Sequence, residues 1–362
     1  MTRRIHLVAA ARPNFMKIAP LWHALSAAPD FTPVLIHTGQ HYDANMSDAI
    51  LADLRLPAPD HHLGIGSGSH GEQTGGVMIA YERIVAADRP DWLIVVGDVN
   101  STLACALVAA KAGIPVVHLE AGLRSRDRTM PEEINRLAVD AISDVLWTPS
   151  PDADDNLRAE GVDPARVTNV GNIMLDSYEL VRPQIEAARG EGRYGVVTLH
   201  RPSNVDDPAQ LGRLVAALVE VQARLPLVFP VHPRTASRLA AGGHDRVLAT
   251  AGVRMIEPAP YIRFMGLVSG ARAVLTDSGG VQEETTYLGI PCLTLRENTE
   301  RPITICEGTN RLVNADTLVG ELERALSEPA SERQRPDKWD GRTAQRCLAD
   351  LRKRSEPLSR SG

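Results

Sequence analysis

Residues 91–136 read DWLIVVGDVNSTLACALVAAKAGIPVVHLEAGLRSRDRTMPEEINR, and this stretch decides the fold class. Residues 92–96 and 115–119 are apolar, β-rich runs, too short for helices and too apolar to be half exposed, so both predict buried parallel strands. Residues 101–112 between them are rich in Ala and Leu and stop at Gly113, which predicts a helix. The three form one βαβ unit. In open α/β sheets ligands bind beyond the carboxyl ends of the strands. Asp98 and Glu120 follow two such ends, and Glu132 follows Met130-Pro131 at the expected start of the next helix. Singly, each acid has a plain structural use as a helix cap, a strand-end charge or a dipole partner. Together, three carboxylates near one crevice repel, a cost a fold accepts mainly where the resulting split in acidity serves proton transfer.

Towards the N-terminus, residues 5–10 predict a first strand and residues 12–28 a helix, which sets Arg12 and Lys17 at a strand end. They are either surface cations or a phosphate clamp beside a helix start. A second strand is expected at 34–37, followed by a polar loop from His37 to Asp43. His37, His41, His61, His62 and His70 raise the question of a metal site, but they fall in loops without the helix or strand pairing that fixes a ligand set, so no metal is expected. Gly66-Ser-Gly68-Ser-His-Gly71 matches G-x-G-x-x-G only formally, because the proline- and histidine-rich residues 57–63 are excluded here as the strand that motif requires. No nicotinamide site, and no other cofactor, is expected. Residues 72–87 then predict an amphipathic helix leading back to the acids.

Beyond Arg136 the pattern continues with strands at 145–148 and 167–170, and the first domain is expected to end near Asn172. Residues 173–188 predict one connecting helix, and residues 189–193, with two glycines, a hinge. Strands at 195–199, 227–231, 254–256, 273–276 and 291–295, separated by helix-compatible segments, predict a second doubly wound domain. Its strand ends carry His200-Arg201, His232 and Asp277-Ser278-Gly279-Gly280. A glycine pair between strand and helix lets backbone N–H groups face an anion closely, which suits a diphosphate; a tight turn with a serine cap is the alternative. Glu283 and Glu284 are expected in the first turn of that helix, one complementing the dipole and the other accepting from ribose hydroxyls, and Arg301 adds a cation.

Composition sets outer bounds. A chain of 362 residues suits two α/β domains, and 43% hydrophobic and 23% charged residues are ordinary for a soluble protein. A net charge of −6 argues against a broad grip on nucleic acid or anionic membrane, so an anionic ligand must be held locally. The four scattered cysteines suggest neither disulfides nor zinc, and Arg12-Pro13 interrupts the early apolar run before signal-peptide length. A soluble, unprocessed, cytoplasmic protein is expected.

The segments ARPNFMKIAP, HTGQH, GDVNSTLA, HLEAGLRS, MPEEINR, VGN, TLHRPSNVD, VHPRT, TDSGGVQEE, RENTERP and GTN occur in that order between about residues 5 and 313. The set resembles the non-hydrolysing UDP-N-acetylglucosamine 2-epimerases of bacteria. The resemblance implies an α/β protein of glycosyltransferase type B (GT-B) fold: two doubly wound parallel-sheet domains with a cleft between them, acids on the first and nucleotide on the second. The domains would span 1–172 and 190–335, joined by a helix at 173–189, with a last helix at about 340–356 packing back on the first. Carried across by position, Ser278, Gly279 and Gly280 contact the diphosphate and Glu284 the ribose; Arg12, Lys17 and Arg301 are the cations around the phosphates. His200 and Arg201 match the family's His-Arg pair, with His200 catalytic, and His232 in VHPRT joins the substrate-binding set. Asp98, Glu120 and Glu132 match the acid/base trio, and Gln40, His41 and Gln73 match residues that hold an activating second substrate molecule. Many members have Glu at the positions of Asn14 and Ile303 and Arg-Glu at Pro202-Ser203, which leaves the exact sugar and the activation open.

The implied activity is reversible epimerisation at carbon 2 of a UDP-2-acetamido sugar, through elimination of UDP to a glycal and re-addition. The residues suit this chemistry: one carboxylate removes the weakly acidic hydrogen, cations stabilise departing UDP, and a second acid returns the proton on the other face. A hinge near Arg189 would close the domains on the glycal and exclude water. The alternatives are a hydrolysing relative that releases UDP and free N-acetylmannosamine, and a glycosyltransferase of the same fold. A silent sensor would have no use for three repelling acids. A UDP-sugar is the expected ligand and a homodimer the expected assembly.

Overall fold

The β-rich runs of the sequence assemble into two parallel sheets. The computed structural model of the chain describes residues 2–39, 50–328 and 335–356. These residues divide into two compact units, Met1–Leu180 with Asp337–Gly362, and Val181–Pro336.

In the first unit the strands are β1 Arg3–Ala9, β2 Phe31–His37, β3 His61–His62, β4 Trp92–Val96, β5 Val116–Leu119, β6 Val145–Thr148 and β7 Val167–Asn169. They form one sheet in the order β3-β2-β1-β4-β5-β6-β7. The order reverses between β1 and β4, the place where open α/β sheets present a crevice. Leu93–Val96 are at most 1% exposed, as an apolar run covered on both faces requires. Val8, Ile36, Val95 and Val116 share a core with Val77, Tyr81 and Val85 of the helix His70–Ala87 and Ala104–Ala106 of the helix Asn100–Lys111. The helix Thr343–Ser355 docks on this same unit. Its first amides, from Thr343 and Ala344, donate to Asp176 at 3.0 and 2.8 Å, and Asp350 accepts from Trp147 Nε1 at 2.7 Å.

The second unit holds β8 Gly195–Thr198, β9 Leu227–Pro230, β10 Arg254–Ile256, β11 Ala273–Thr276, β12 Cys292–Leu295 and β13 Asn310–Val313, ordered β10-β9-β8-β11-β12-β13. Its reversal lies between β8 and β11, which pair in parallel with Thr198 opposite Thr276. Val197, Leu214, Leu218, Phe229 and Leu275 lie in its core.

Four local expectations are corrected. The single helix expected over 173–188 is two helices, Ile173–Leu180 and Arg182–Ala187, because Pro183 lacks the N–H and crowds the preceding turn. The two units meet in sequence at that break. Residues 57–63, excluded as a strand, contain β3, a two-residue strand paired with Ile36–His37. Glu283 and Glu284 fall after the first turn of the helix Gly279–Leu288, which starts at the first of the two glycines. β13 is an addition to the expected strands, because Asn310 and Arg311 break its apolar run.

Candidate active site

Gly97 ends β4 with a left-handed backbone (φ 69°), a conformation glycine takes without strain, and so turns the chain sharply into Asp98. A Cβ built on Gly97 lies 3.4 Å from Glu120 Oε2, 3.7 Å from Lys17 Nζ and 3.8 Å from Asn14 Nδ2, so the ends of β4 and β5 and the start of the helix Arg12–Ser26 converge here. Glu120 is 8% exposed and forms an ion pair with Lys17. Its backbone is itself left-handed (φ 73°), and the amides of Glu120 and Ala121 both donate to the Trp147 carbonyl at 3.0 Å. Asp98 pairs with Arg136 of the helix Pro131–Ile142, and Arg136 also binds Glu133. Burial works against the Glu133 charge, but the Ser125 and Arg126 amides and Arg136 outweigh it and hold that carboxyl below its ordinary range.

The expected repulsion of three acids near one crevice is eased in the structure: Asp98 and Glu120 each carry a cation, which offsets it. Glu132 is exposed in the first turn of Pro131–Ile142 and makes no ion pair among the described residues. Lys17, expected on a phosphate, is bound to Glu120. Arg12 opens its helix. Gln73 accepts from Asn100 Nδ2 at 2.8 Å, and Asn135 Nδ2 donates to Asn100 Oδ1 at 3.2 Å and to the Asp98 carbonyl at 2.9 Å. Gln40 and His41 lie outside the described residues.

In the second unit, strand register sets His200 beside Ser278, each two residues past the paired Thr198 and Thr276. Buried Asp277 accepts from the amides of His200 and Arg201, from Asn204 Nδ2 at 3.1 Å, and pairs with His200 Nδ1 at 2.9 Å. The His232 ring lies 5.9 Å from that of His200, and its Nδ1 accepts from the Arg234 amide. Ser278 takes the N-cap position of Gly279–Leu288 without a side-chain cap hydrogen bond, so the serine cap of the alternative reading is not formed. Arg301 binds Glu283 at 2.8 Å and Glu300 at 2.7 Å; Glu300 also meets Arg296 at 2.9 Å and Arg201 at 3.9 Å. Three guanidinium groups thus share two carboxylates. Burial opposes the Glu300 charge, but Arg301 and Arg296 outweigh it and hold its carboxyl pKa far below the usual carboxylate range. Arg301 Nη1 comes 2.7 Å from a Cβ built on Gly279, so a side chain there would push the guanidinium from its place at this helix start. Glu284 is buried and accepts from the Tyr261 hydroxyl at 2.9 Å.

The sequence alone does not single out Arg136, Asn135, Arg296 or Glu300 as site residues, and it sets Asp277 at a strand end without giving it a role of its own. The i, i+3 pair Glu133 and Arg136 is visible in PEEINR, but partners distant in sequence leave no local signal. Among the described residues no group of three or more His, Cys, Asp or Glu is placed to hold a metal ion, and no helix is long and apolar enough to cross a membrane.

Two doubly wound units, with acids at the strand ends of one and a glycine-opened helix start among guanidinium groups in the other, define a protein of GT-B-like fold. The model of the family described as UDP-N-acetylglucosamine 2-epimerase matches residues 23–352, and the chain belongs to that family. It is similar to the UDP-N-acetylglucosamine 2-epimerase of Methanocaldococcus jannaschii, 40% identical over 340 residues that cover 90% of this chain and 93% of the relative. It is equally similar to the UDP-2,3-diacetamido-2,3-dideoxy-D-glucuronate 2-epimerase of Pseudomonas aeruginosa, 40% identical over 333 residues, with the same coverage. The crystal structure of the M. jannaschii UDP-GlcNAc 2-epimerase in complex with UDP-GlcNAc and UDP superposes with a TM-score of 0.87 at 38% identity, covering 97% of this chain and 99% of that one.

Proposed function

We propose that this chain catalyses reversible 2-epimerisation of a UDP-2-acetamido sugar, UDP-N-acetylglucosamine or a close derivative, by elimination of UDP and re-addition to the glycal. The observation that carries the reading is the pairing of Asp98 with Arg136 and of Glu120 with Lys17 at adjacent strand ends, in a chain of this family. A carboxylate at one of these strand ends takes a proton from carbon 2, and a second acid returns one on the opposite face. Asp98, Glu120 and Glu132 divide these roles, with His200 acting at the leaving group. Ser278, Gly279 and Gly280, with Arg201, Arg301 and His232, hold the diphosphate, and Glu284 holds the ribose. Arg12 and Lys17 supply further positive charge as UDP departs, which requires Lys17 to loosen its pair with Glu120. Gln40, His41 and Gln73 hold a second, activating substrate molecule.

The protein acts in the cytoplasm, needs no metal or cofactor, and is a homodimer. Ile79 and Ile134, 57% and 40% exposed on two helices that both pack against Asn100–Lys111, supply apolar surface for the partner. NMR of the protein with UDP-N-acetylglucosamine in heavy water tests the reaction. Elimination and re-addition put solvent deuterium on carbon 2 while the sugar stays on UDP; free UDP and N-acetylmannosamine would mean the hydrolysing reaction, and product retaining its original hydrogen would refute the mechanism.

A further inference from the structure

Two neighbouring histidines in the second unit are held in opposite ways. The His200 ring presents Nδ1 to the Asp277 carboxylate at 2.9 Å, so Nδ1 is its donor and Nε2 is the nitrogen left for a ligand. The His232 ring, 5.9 Å away, receives the Arg234 amide on Nδ1, so there Nδ1 is the acceptor and Nε2 carries the hydrogen. The supports differ as well. Asp277 is 0% exposed and fixed by the amides of His200 and Arg201 and by Asn204, whereas His232 has no carboxylate on its ring among the described residues. Burial favours the neutral acid, yet His200, the Arg201 amide and Asn204 hold the Asp277 carboxyl below its ordinary range. Burial, then His200 and Arg234, push His232 down against a smaller opposing pull from Asp277.

The geometry points to Asp277 as the positioning residue that fixes His200 with Nδ1–H inward and Nε2 at the edge of the sheet beside Ser278. His200 is 40% exposed and the register of β8 and β11 sets it next to the start of Gly279–Leu288, so Nε2 is the ring atom that reaches a diphosphate oxygen. The carboxylate behind the ring keeps it oriented so that Nε2, once it has taken a proton from solvent, donates to the departing phosphate, the way an orienting acid serves a working histidine. This deepens the proposed epimerase function and rests on it only for the identity of the ligand.

The test uses the intact chain. Two-bond ¹H–¹⁵N spectra, recorded at about pH 9 where imidazole is neutral, should show His200 as the Nδ1–H tautomer and His232 as Nε2–H. His200 as Nε2–H in the unaltered protein would overturn the assignment without any variant. Asp277→Asn should release the His200 tautomer and lower kcat on UDP-N-acetylglucosamine about 10- to 100-fold, the range for losing the partner that orients a histidine, with KM changed far less. In a His200→Gln background the same change should cost no further kcat. An additive loss in that double variant, or an unaltered tautomer in Asp277→Asn, would make Asp277 merely structural. If the tautomers behave as stated but the unaltered protein does not epimerise, the positioning role stands and the epimerase reading falls. Normal epimerisation by Asp277→Asn does the opposite: the epimerase reading stands and the positioning role falls.

Discussion

Glu120 sits in a left-handed backbone that costs a residue with a side chain about 1–2 kcal/mol, and two amides on the Trp147 carbonyl together with Lys17 hold it there. Such local strain is kept where the direction of a side chain matters. Amide variants of Asp98, Glu120 and Glu132 keep the side-chain shape and remove proton transfer, so each should lower turnover about 100- to 10,000-fold, with UDP affinity by calorimetry nearly unchanged. Normal turnover in all three would end their acid/base assignment. Gly279→Ala puts a methyl 2.7 Å from Arg301 Nη1 and should weaken UDP binding by about tenfold or more, roughly 1.4 kcal/mol, measured by the same calorimetry. Glu300 has its pKa lowered in the fold, so the stability it contributes is complete above its ordinary value of 4.5 and fades as pH falls towards the folded value. Thermal melts should therefore show a gap between the parent and Glu300→Gln at pH 7 that narrows below about pH 4.

The helix Thr343–Ser355 begins 167 residues from Asp176 in sequence, and that buried carboxylate closes its first two described amides. Asp176→Ala leaves those donors without their acceptor and should cost about 1–3 kcal/mol, seen as a lower Tm and earlier proteolytic loss of the C-terminal helix. A Tm equal to the parent's would mean water serves the helix start equally well. Elements are legible where the pattern is strong: residues 92–96, 145–148, 254–256 and 273–276 are strands at the bounds expected of them. They escape a sequence reading where polar residues occupy strand positions, as at His61–His62 and Asn310–Val313, because there pairing with a neighbour decides the conformation and local propensity does not.

For the whole molecule, light scattering after size exclusion should give the mass of a dimer, and a variant with Glu at both Ile79 and Ile134 should run as a monomer; a monomeric parent would remove the dimer from the proposal. Chelator treatment should leave the epimerisation rate unchanged, and a loss restored by one metal would reopen the question of a metal site. The sequence by itself determined the fold class, both sheets, most of their strands, the strand ends where chemistry belongs and, through its ordered motifs, the family. That information is local: apolar runs, glycine stops and short motifs each lie within a few neighbouring residues. Only the tertiary structure decided which charges meet: Lys17 reaches Glu120 across 103 residues, Arg136 reaches Asp98, and Asp277 reaches back 77 residues to His200. Those pairings depend on strand order and register, which bring distant strand ends side by side, and no window of the sequence contains both partners.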